Sequence, residues 1–378
     1  MKRILAVAIG GIVWMLCIVA PVSAASTDEL LEDQLEASGA TELYDALPPH
    51  TQSLLETLGI DALTLDGLTA LQPQTVLSSL WDLLSDQAMT PVSAVGTMLG
   101  MLLLLGLFSS LHPNGGREGE LVSLLTSLAV LTPLLIPLWQ TVARAASAAE
   151  SAAVFSVAFA PVYASSLAAQ GLTMSSVTHH TLMLAAAQGI SMLTQGVIVP
   201  LLSMALALGV SGSIHKTARL SEVGTLVNRT ATWLLGLSLT VFVGMLSLQG
   251  VLSASADSIG GRVMRFSVSG LVPVVGGSLS DALYTVRGCL SALRGTVGTF
   301  GIFSTVLIVL PTMLECAVWS AMLYIAKLAA DLFSLSSIAS AVETARGVVR
   351  TLIGVLASCA LLMIVSVTLT MTVGGGVG

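Results

Sequence analysis

Long uncharged stretches run through much of this sequence. From Ser151 to His215 there is no Asp, Glu, Lys or Arg, and other apolar runs lie on both sides. A soluble fold would have to cover these runs with polar surface. Only 9% of the residues are charged, whereas soluble domains have about a quarter. Because about 20 apolar residues in a helix cross the hydrocarbon of a bilayer, the sequence predicts a polytopic membrane protein.

The predicted fold class is all-α, a membrane helical bundle with about six spans and a range of about five to eight. Aromatic residues make up only 4% of the chain, which favours helices packed through small side chains over strands with aromatic girdles. Residues 153–170 are predicted to be re-entrant or interfacial, and residues 319–335 to be half-inserted or spanning. The six predicted spans are 91–111, 121–142, 181–208, 230–252, 296–318 and 351–373.

The first residues have the pattern of an export signal. Lys2 and Arg3 precede an apolar run, and small residues at 22–24 provide a cleavage site. Residues 1–24 are therefore predicted to be a secretory signal peptide, and an uncleaved signal anchor is the alternative. Both would export the residues that follow.

Residues 25–90 form an acidic region that contains no Lys or Arg but holds 12 of the 21 acidic residues. Cytoplasmic flanks of membrane spans are enriched in Lys and Arg, so we expect a short extracytoplasmic helical region here, with amphipathic helices at 50–58 and 74–84. Residues 91–378 are predicted to be the multi-span membrane domain. The acidity argues against nucleic acid as a partner.

The most basic loop determines the predicted topology. Lys216, Arg219 and Arg229 lie close together after the third predicted span, and such clusters stay in the cytoplasm. If residue 90 lies outside, an odd number of crossings must precede this loop. The first three predicted spans satisfy that condition, provided that residues 153–170 do not cross.

Residues 262–294 form a semi-polar, glycine-rich segment between two long apolar runs. The predicted topology places it on the extracytoplasmic side, as a re-entrant or interfacial segment. Pro273 cannot donate a backbone hydrogen bond, Gly276 and Gly277 loosen the chain locally, and Asp281 begins the next turn. We predict that these four residues dock a partner or line a pore.

Glu315 is a candidate of a different kind, because a carboxylate inside an apolar run is costly and therefore often functional. The nearest cation in sequence, Lys327, would lie about 18 Å away along a straight helix, too far for a direct pair. Glu315 must then pair with another helix, face water or be protonated. We predict that it lines a polar cavity or makes an interhelical contact. A position near an interface, without a special role, is the alternative.

Catalytic signatures are missing from the sequence, which has no GxxxxGK[ST], HExxH or GxSxG motif. The adjacent His179 and His180 would point about 100° apart on a helix, and no carboxylate lies near them in sequence. We therefore predict no enzyme activity, no cofactor and no metal site.

Three stretches of the sequence resemble the stage III sporulation protein AE family. They are FSVSGLVPVVGGSLSDALYTV, the span that follows it, VGTFGIFSTVLIVLPTMLECAVWSAMLYIAKLAADLF, and the closing TLTMTVGG. The resemblance covers residues 230–375 and is most specific at 273–276 and 280–282. A signal peptide, an exported acidic region and several spans also suit that family.

The resemblance implies a subunit of the channel-like complex that joins mother cell and forespore in endospore-forming bacteria. It implies a place in the mother-cell membrane around the forespore, and a role in late forespore development and gene expression. The implied partners are ring-forming and other membrane proteins of the complex, a secretion-type ATPase, a forespore protein and the lipid bilayer. Scaffolding or pore lining, and not catalysis, is the implied mode of action.

A secondary transporter with its own substrate site near the bilayer midplane is the alternative function. Prolines within the apolar runs would give the broken helices that such a site needs. No internal repeat is visible, however, and intramembrane charge is scarce.

Overall fold

The computed structural model describes residues 42–58, 73–111, 117–214, 220–271, 276–333 and 335–375, and within these ranges it contains helices and no strand. Two short helices come first, α1 (Glu42–Asp45) and α2 (Pro49–Thr57). A π-helical turn (Thr194–Ile198) joins α5 to α6 without a break. The longer helices are α3 (Pro73–Leu111), α4 (Arg117–Ala169), α5 (Thr173–Leu193), α6 (Val199–Ile214), α7 (Leu220–Leu271), α8 (Gly276–Leu332) and α9 (Ser336–Gly375).

Six helical segments of the described chain are long and apolar enough to cross a membrane. This confirms the predicted all-α fold with six spans. Three of the segments precede the basic loop, in agreement with the odd number of crossings expected there. The segments are Trp81–Leu104, Leu128–Ala169, Thr173–Gly212, Glu222–Ile259, Leu290–Leu332 and Ser336–Met371.

Helices α8 and α9 form the centre of the bundle, because more than half of each span is buried. They pack against each other, α3 and α4 pack on α8, and α4, α6 and α7 pack on α9. Helix α7 lies at the periphery, with only 6% of its span buried. The largest fully buried side chains are Trp319, Tyr163, Phe155, Phe159 and Phe300.

The boundaries of one predicted pair of segments differ from the structure. Residues 121–142 and 153–170, predicted as a span and a separate re-entrant segment, lie in the single helix α4. In apolar surroundings a break would expose many backbone groups, whereas a proline removes one hydrogen bond. The helix therefore continues through its three prolines, Pro133, Pro137 and Pro161.

The central helices are longer than a bilayer is thick. The span in α4 has 42 residues, or about 63 Å at a rise of about 1.5 Å per residue. Even at a tilt of about 40° a crossing of the hydrocarbon uses only about 40 Å of helix. Part of this span therefore lies outside the hydrocarbon. Residues 319–335, predicted as a separate element, likewise continue α8 as far as Leu332.

A tight turn between α4 and α5 closes one end of the bundle. Gly171 has φ 81°, in the left-handed region that glycine adopts without steric cost. Leu172 provides no side-chain cap for α5. Asp257 of α7 takes that role, because its carboxylate accepts hydrogen bonds from Met174 N at 2.9 Å and Ser175 N at 2.8 Å. This cap ties α7 to the start of α5.

The two short helices pack on the long ones. Leu43, Leu47 and Leu55 belong to the same hydrophobic core as the spans, with α1 against α4 and α2 against α8.

Helix α3 passes residue 90 without a break, so it contains both the predicted helix 74–84 and the first span. The predicted signal peptide lies outside the described residues, and the domain division at residue 90 stays a prediction.

Glycines allow α8 to approach both of its central neighbours. A Cβ at Gly298 would lie 2.5 Å from Met371 Cε and 2.8 Å from Val367 Cγ1, both on α9. A Cβ at Gly301 would overlap the Phe159 ring of α4. Small residues at these positions let the backbones come close, which is how membrane helices gain packing contacts.

Candidate functional site

Glu315 lies within the span of α8, and its side chain is 2% exposed. Arg144 of α4 donates from Nε to Oε2 at 2.9 Å and from Nη2 to Oε1 at 2.5 Å. This two-pronged geometry is the strong arrangement of a guanidinium with a carboxylate. A charged contact therefore joins α4 to α8 inside the span of each helix.

Two neutral donors complete the surroundings of the carboxylate. Thr141, one turn before Arg144 on α4, donates its hydroxyl to Oε1 at 2.6 Å. Trp319, one turn after Glu315 on α8, has its Nε1 3.4 Å from the same oxygen. Residues three or four positions apart on a helix share a face, so each helix presents two of the four groups. A buried carboxylate requires such charge and hydrogen-bond partners.

The two members of the ion pair differ in exposure. The Arg144 side chain is 45% exposed, whereas that of Glu315 is 2% exposed. The guanidinium therefore reaches the surface of the bundle, and the carboxylate stays inside it. Both carboxylate oxygens accept hydrogen bonds, so the arrangement suits a fixed contact between helices better than proton transfer.

Glu315 thus makes an interhelical contact whose partner sequence reasoning missed, and its docking or pore-lining role stays a prediction. Arg144 is 171 positions away in sequence. The available signal was a cation in a second apolar run, since intramembrane charges of opposite sign pair with each other. Lys327, the nearest cation in sequence, contacts Glu343 of α9 at 3.0 Å instead.

Helices α7 and α8 continue past the turn that closes the bundle. On α7, Asp257 lies beside this turn, because it contacts Met174. On α8, Leu290 lies beside it, because the Leu290 carbonyl accepts a hydrogen bond from Gln170 Nε2 at 2.9 Å. Helix α7 has 14 residues beyond this level (258–271) and α8 has 14 before it (276–289), each about 21 Å long. We call these two extensions the hairpin arms, because only residues 272–275 separate them in sequence.

The predicted site residues fall in two separate places. Gly276, Gly277 and Asp281 lie at the start of α8, in the second hairpin arm. Pro273 lies outside the described residues. Glu315 is 34 residues beyond Asp281 on the same helix, or about 51 Å. The structure therefore does not bring Glu315 to the other candidates, and their docking or pore-lining role stays a prediction.

His179 has a place in the packing between helices. It is buried, its Nδ1 lies 3.2 Å from Ser366 Oγ, and its ring centroid lies 4.8 Å from that of Tyr163. The Tyr163 hydroxyl lies 2.8 Å from Thr370 Oγ1. These contacts link α4 and α5 to α9. In the described part of the chain, no three His, Cys, Asp or Glu side chains are grouped so that they could hold a metal ion.

Two small cavities lie between the described helices. One of about 20 Å³ is lined by α4, α5 and α9, with Ser156, Met183 and Cys359 among its residues. The other, of about 10 Å³, lies between α5, α7 and α9, next to Thr194 and Phe242. A single buried water needs about 10–15 Å³. These cavities therefore have room for water and not for a transported solute.

Known proteins give an independent comparison. The family model for stage III sporulation protein AE (spore_III_AE) matches residues 60–374. The stage III sporulation protein AE of Bacillus subtilis (strain 168) is 24% identical over 267 residues, which cover 68% of this chain and 64% of that relative. The match thus spans less than two thirds of the relative's length. No solved structure matches. Because the family model covers most of the chain, this protein belongs to the stage III sporulation protein AE family.

Proposed function

We propose that this chain is a membrane subunit of the apparatus that joins mother cell and forespore during sporulation, and that it acts as a scaffold and not as a catalyst. Family membership supports the link to sporulation. The observation that supports the scaffold role is the packing of the described helices, in which Arg144 and Glu315 join two helices and the two cavities between α4, α5, α7 and α9 are too small for a solute. Such a bundle suits a subunit that holds its place and binds neighbours.

The hairpin arms are the part of the chain best suited to docking. They extend past the closed end of the bundle, and the second arm carries Gly276, Gly277 and Asp281. If the basic loop lies in the cytoplasm, an odd number of crossings places the arms on the extracytoplasmic side. They would then face the gap between the mother-cell and forespore membranes.

We expect each partner on a particular side of the membrane. Ring-forming proteins of the same complex and the forespore partner would meet the hairpin arms in the gap, together with Pro273. A secretion-type ATPase would meet the cytoplasmic loops. Through these contacts the subunit would support late forespore development and gene expression.

Substitutions in the second hairpin arm test this proposal. We expect Gly277→Leu and Asp281→Ala to leave the amount of protein in the membrane unchanged, but to reduce the number of heat-resistant spores and crosslinking to partners. The bulky or neutral side chain would alter the docking surface without entering a span. Spore counts and membrane immunoblots of the sporulating host are the measurements.

Matched controls lie elsewhere on the same two helices. Asp331→Ala makes the same change at an exposed position near the other end of α8. Gly236→Leu adds the same side chain to α7 at an exposed position where a Cβ meets no atom within 4 Å. Both controls should sporulate normally. Normal sporulation of both hairpin variants would refute the docking role, and solute flux into vesicles containing this chain alone would favour a secondary transporter.

A further inference from the structure

Arg294 of α8 is a buried cation that forms no ion pair with another residue whose side chain the structure describes. The residue is 6% exposed, and its Nη1 is buried without a hydrogen bond. The ion pairs among described residues join other groups: Arg144 with Glu315, and Lys327 and Arg346 with Glu343. Leaving a charge buried and unpaired is strongly unfavourable. A ligand that supplies negative charge would remove this cost.

Arg294 lies at one end of the apolar part of the bundle. It comes one turn after Leu290, which contacts Gln170 beside the exposed turn at Gly171. Uncharged stretches of three helices end at this level, since residues 295–314, 171–214 and 230–256 contain no Asp, Glu, Lys or Arg. Lipid headgroups lie where the apolar part of a membrane protein ends. Arg294 is therefore placed at headgroup depth.

Other arginines lie near the same level. Arg287 comes two turns before Arg294 on α8, and Arg262 and Arg265 follow Asp257 by five and eight positions on α7. The carboxylate of Asp257 already accepts two backbone hydrogen bonds from the start of α5. From residue 257 to residue 294 the sequence thus has four arginines and two aspartates, Asp257 and Asp281.

We propose that Arg294 binds a phosphate group, supplied by the headgroup of an anionic phospholipid, at the base of the hairpin arms. A guanidinium forms paired hydrogen bonds with phosphate oxygens. The long apolar stem of an arginine can pack inside a bundle while its charged end meets the headgroup layer. The bound lipid would anchor the arms at a fixed depth in the membrane. Soluble phosphate shares this chemistry, so the test has to separate the two sources.

The test measures the melting temperature of the purified chain in dodecyl maltoside, with added phosphatidylglycerol, phosphatidylcholine or soluble glycerol phosphate. We expect phosphatidylglycerol to raise the Tm of the wild type by several degrees, and the other two additions to raise it less. Arg294→Gln should lose most of this rise, because the anion has lost its partner. Arg294→Lys should keep part of the rise in Tm, since lysine retains the positive charge but cannot form the paired hydrogen bonds of a guanidinium.

A control variant and the stability of Arg294→Gln without lipid complete the test. Arg229→Gln, at an exposed arginine near the opposite end of α7, should keep the full response to phosphatidylglycerol. Without lipid, Arg294→Gln should be at least as stable as the wild type, because it removes an unpaired buried charge. A lower Tm without lipid would show that Arg294 pairs with a carboxylate of the chain, and would overturn the proposal. An undiminished response of Arg294→Gln, or equal stabilisation by glycerol phosphate, would overturn the lipid assignment.

Discussion

At Glu315 the cost of burying a charge is offset by specific neighbours. Arg144 supplies the opposite charge, and Thr141 and Trp319 supply hydrogen-bond donors. The sequence was sufficient to predict that a carboxylate in an apolar run needs a partner on another helix, water or a proton. It could not identify Arg144, because that pairing depends on how α4 and α8 align along their lengths. Lys327 was close in sequence, yet helical rise separates it from Glu315.

Arg144 and Glu315 differ in exposure, so replacing each of them by a neutral residue should lower the free energy of unfolding by a different amount. Arg144→Gln leaves Glu315 buried without its counter-charge, and we expect a loss of about 3–5 kcal/mol in the free energy of unfolding. Glu315→Gln should cost less, because Arg144 is already 45% exposed and reaches the bundle surface. The double variant should be more stable than Arg144→Gln alone. Thermal or denaturant unfolding in detergent is the measurement.

A control for this series is the ion pair between Lys327 and Glu343, whose side chains are 33% and 40% exposed. Glu343→Gln should cost at most about 1 kcal/mol, as is usual for exposed pairs. Additive losses for Arg144→Gln and Glu315→Gln would contradict the account, since additivity is expected only of independent sites.

At the scale of the helices, the apolar runs of the sequence correctly indicate where helices lie. The prolines do not correctly indicate where helices end. Helix α4 contains Pro133, Pro137 and Pro161 and remains one element of 53 residues. Periodicity and composition are local signals, whereas the continuity of a helix inside a bundle depends on neighbours that replace water. The capping of α5 by Asp257 was missed for a similar reason, because the cap comes from a residue 83 positions away.

The glycines of α8 provide a prediction at this scale. Gly298→Ala places a Cβ 2.5 Å from Met371 Cε and 3.1 Å from Tyr163 Cε2, so we expect a loss of about 1–3 kcal/mol from overpacking. Gly295→Ala meets no atom within 4 Å and should stabilise the helix by about 0.5–1 kcal/mol. Unfolding of the two variants side by side is the measurement. Equal effects at the two positions would mean that α8 and α9 are not in close contact there.

At the scale of the whole molecule, the charge distribution and the number of spans favour one topology. Six spans were predicted and six are found in the described chain. If the acidic region lies outside, we expect residues 112–116 and 215–219 and the end of α8 in the cytoplasm, and the hairpin arms outside. Lys216, Arg219 and Lys327 are then on the cytoplasmic side, as expected. Arginines 262, 265, 287 and 294 are exceptions, which a site for anionic headgroups would explain.

The most direct test of this account is the accessibility of single cysteines in intact cells, labelled with a membrane-impermeant thiol reagent. Val275→Cys changes the residue just before α8 in sequence, and Thr217→Cys changes a residue of the basic sequence between α6 and α7. We expect position 275 to be labelled from outside and position 217 to be labelled only after the membrane is permeabilised. Labelling of position 217 in intact cells would contradict it.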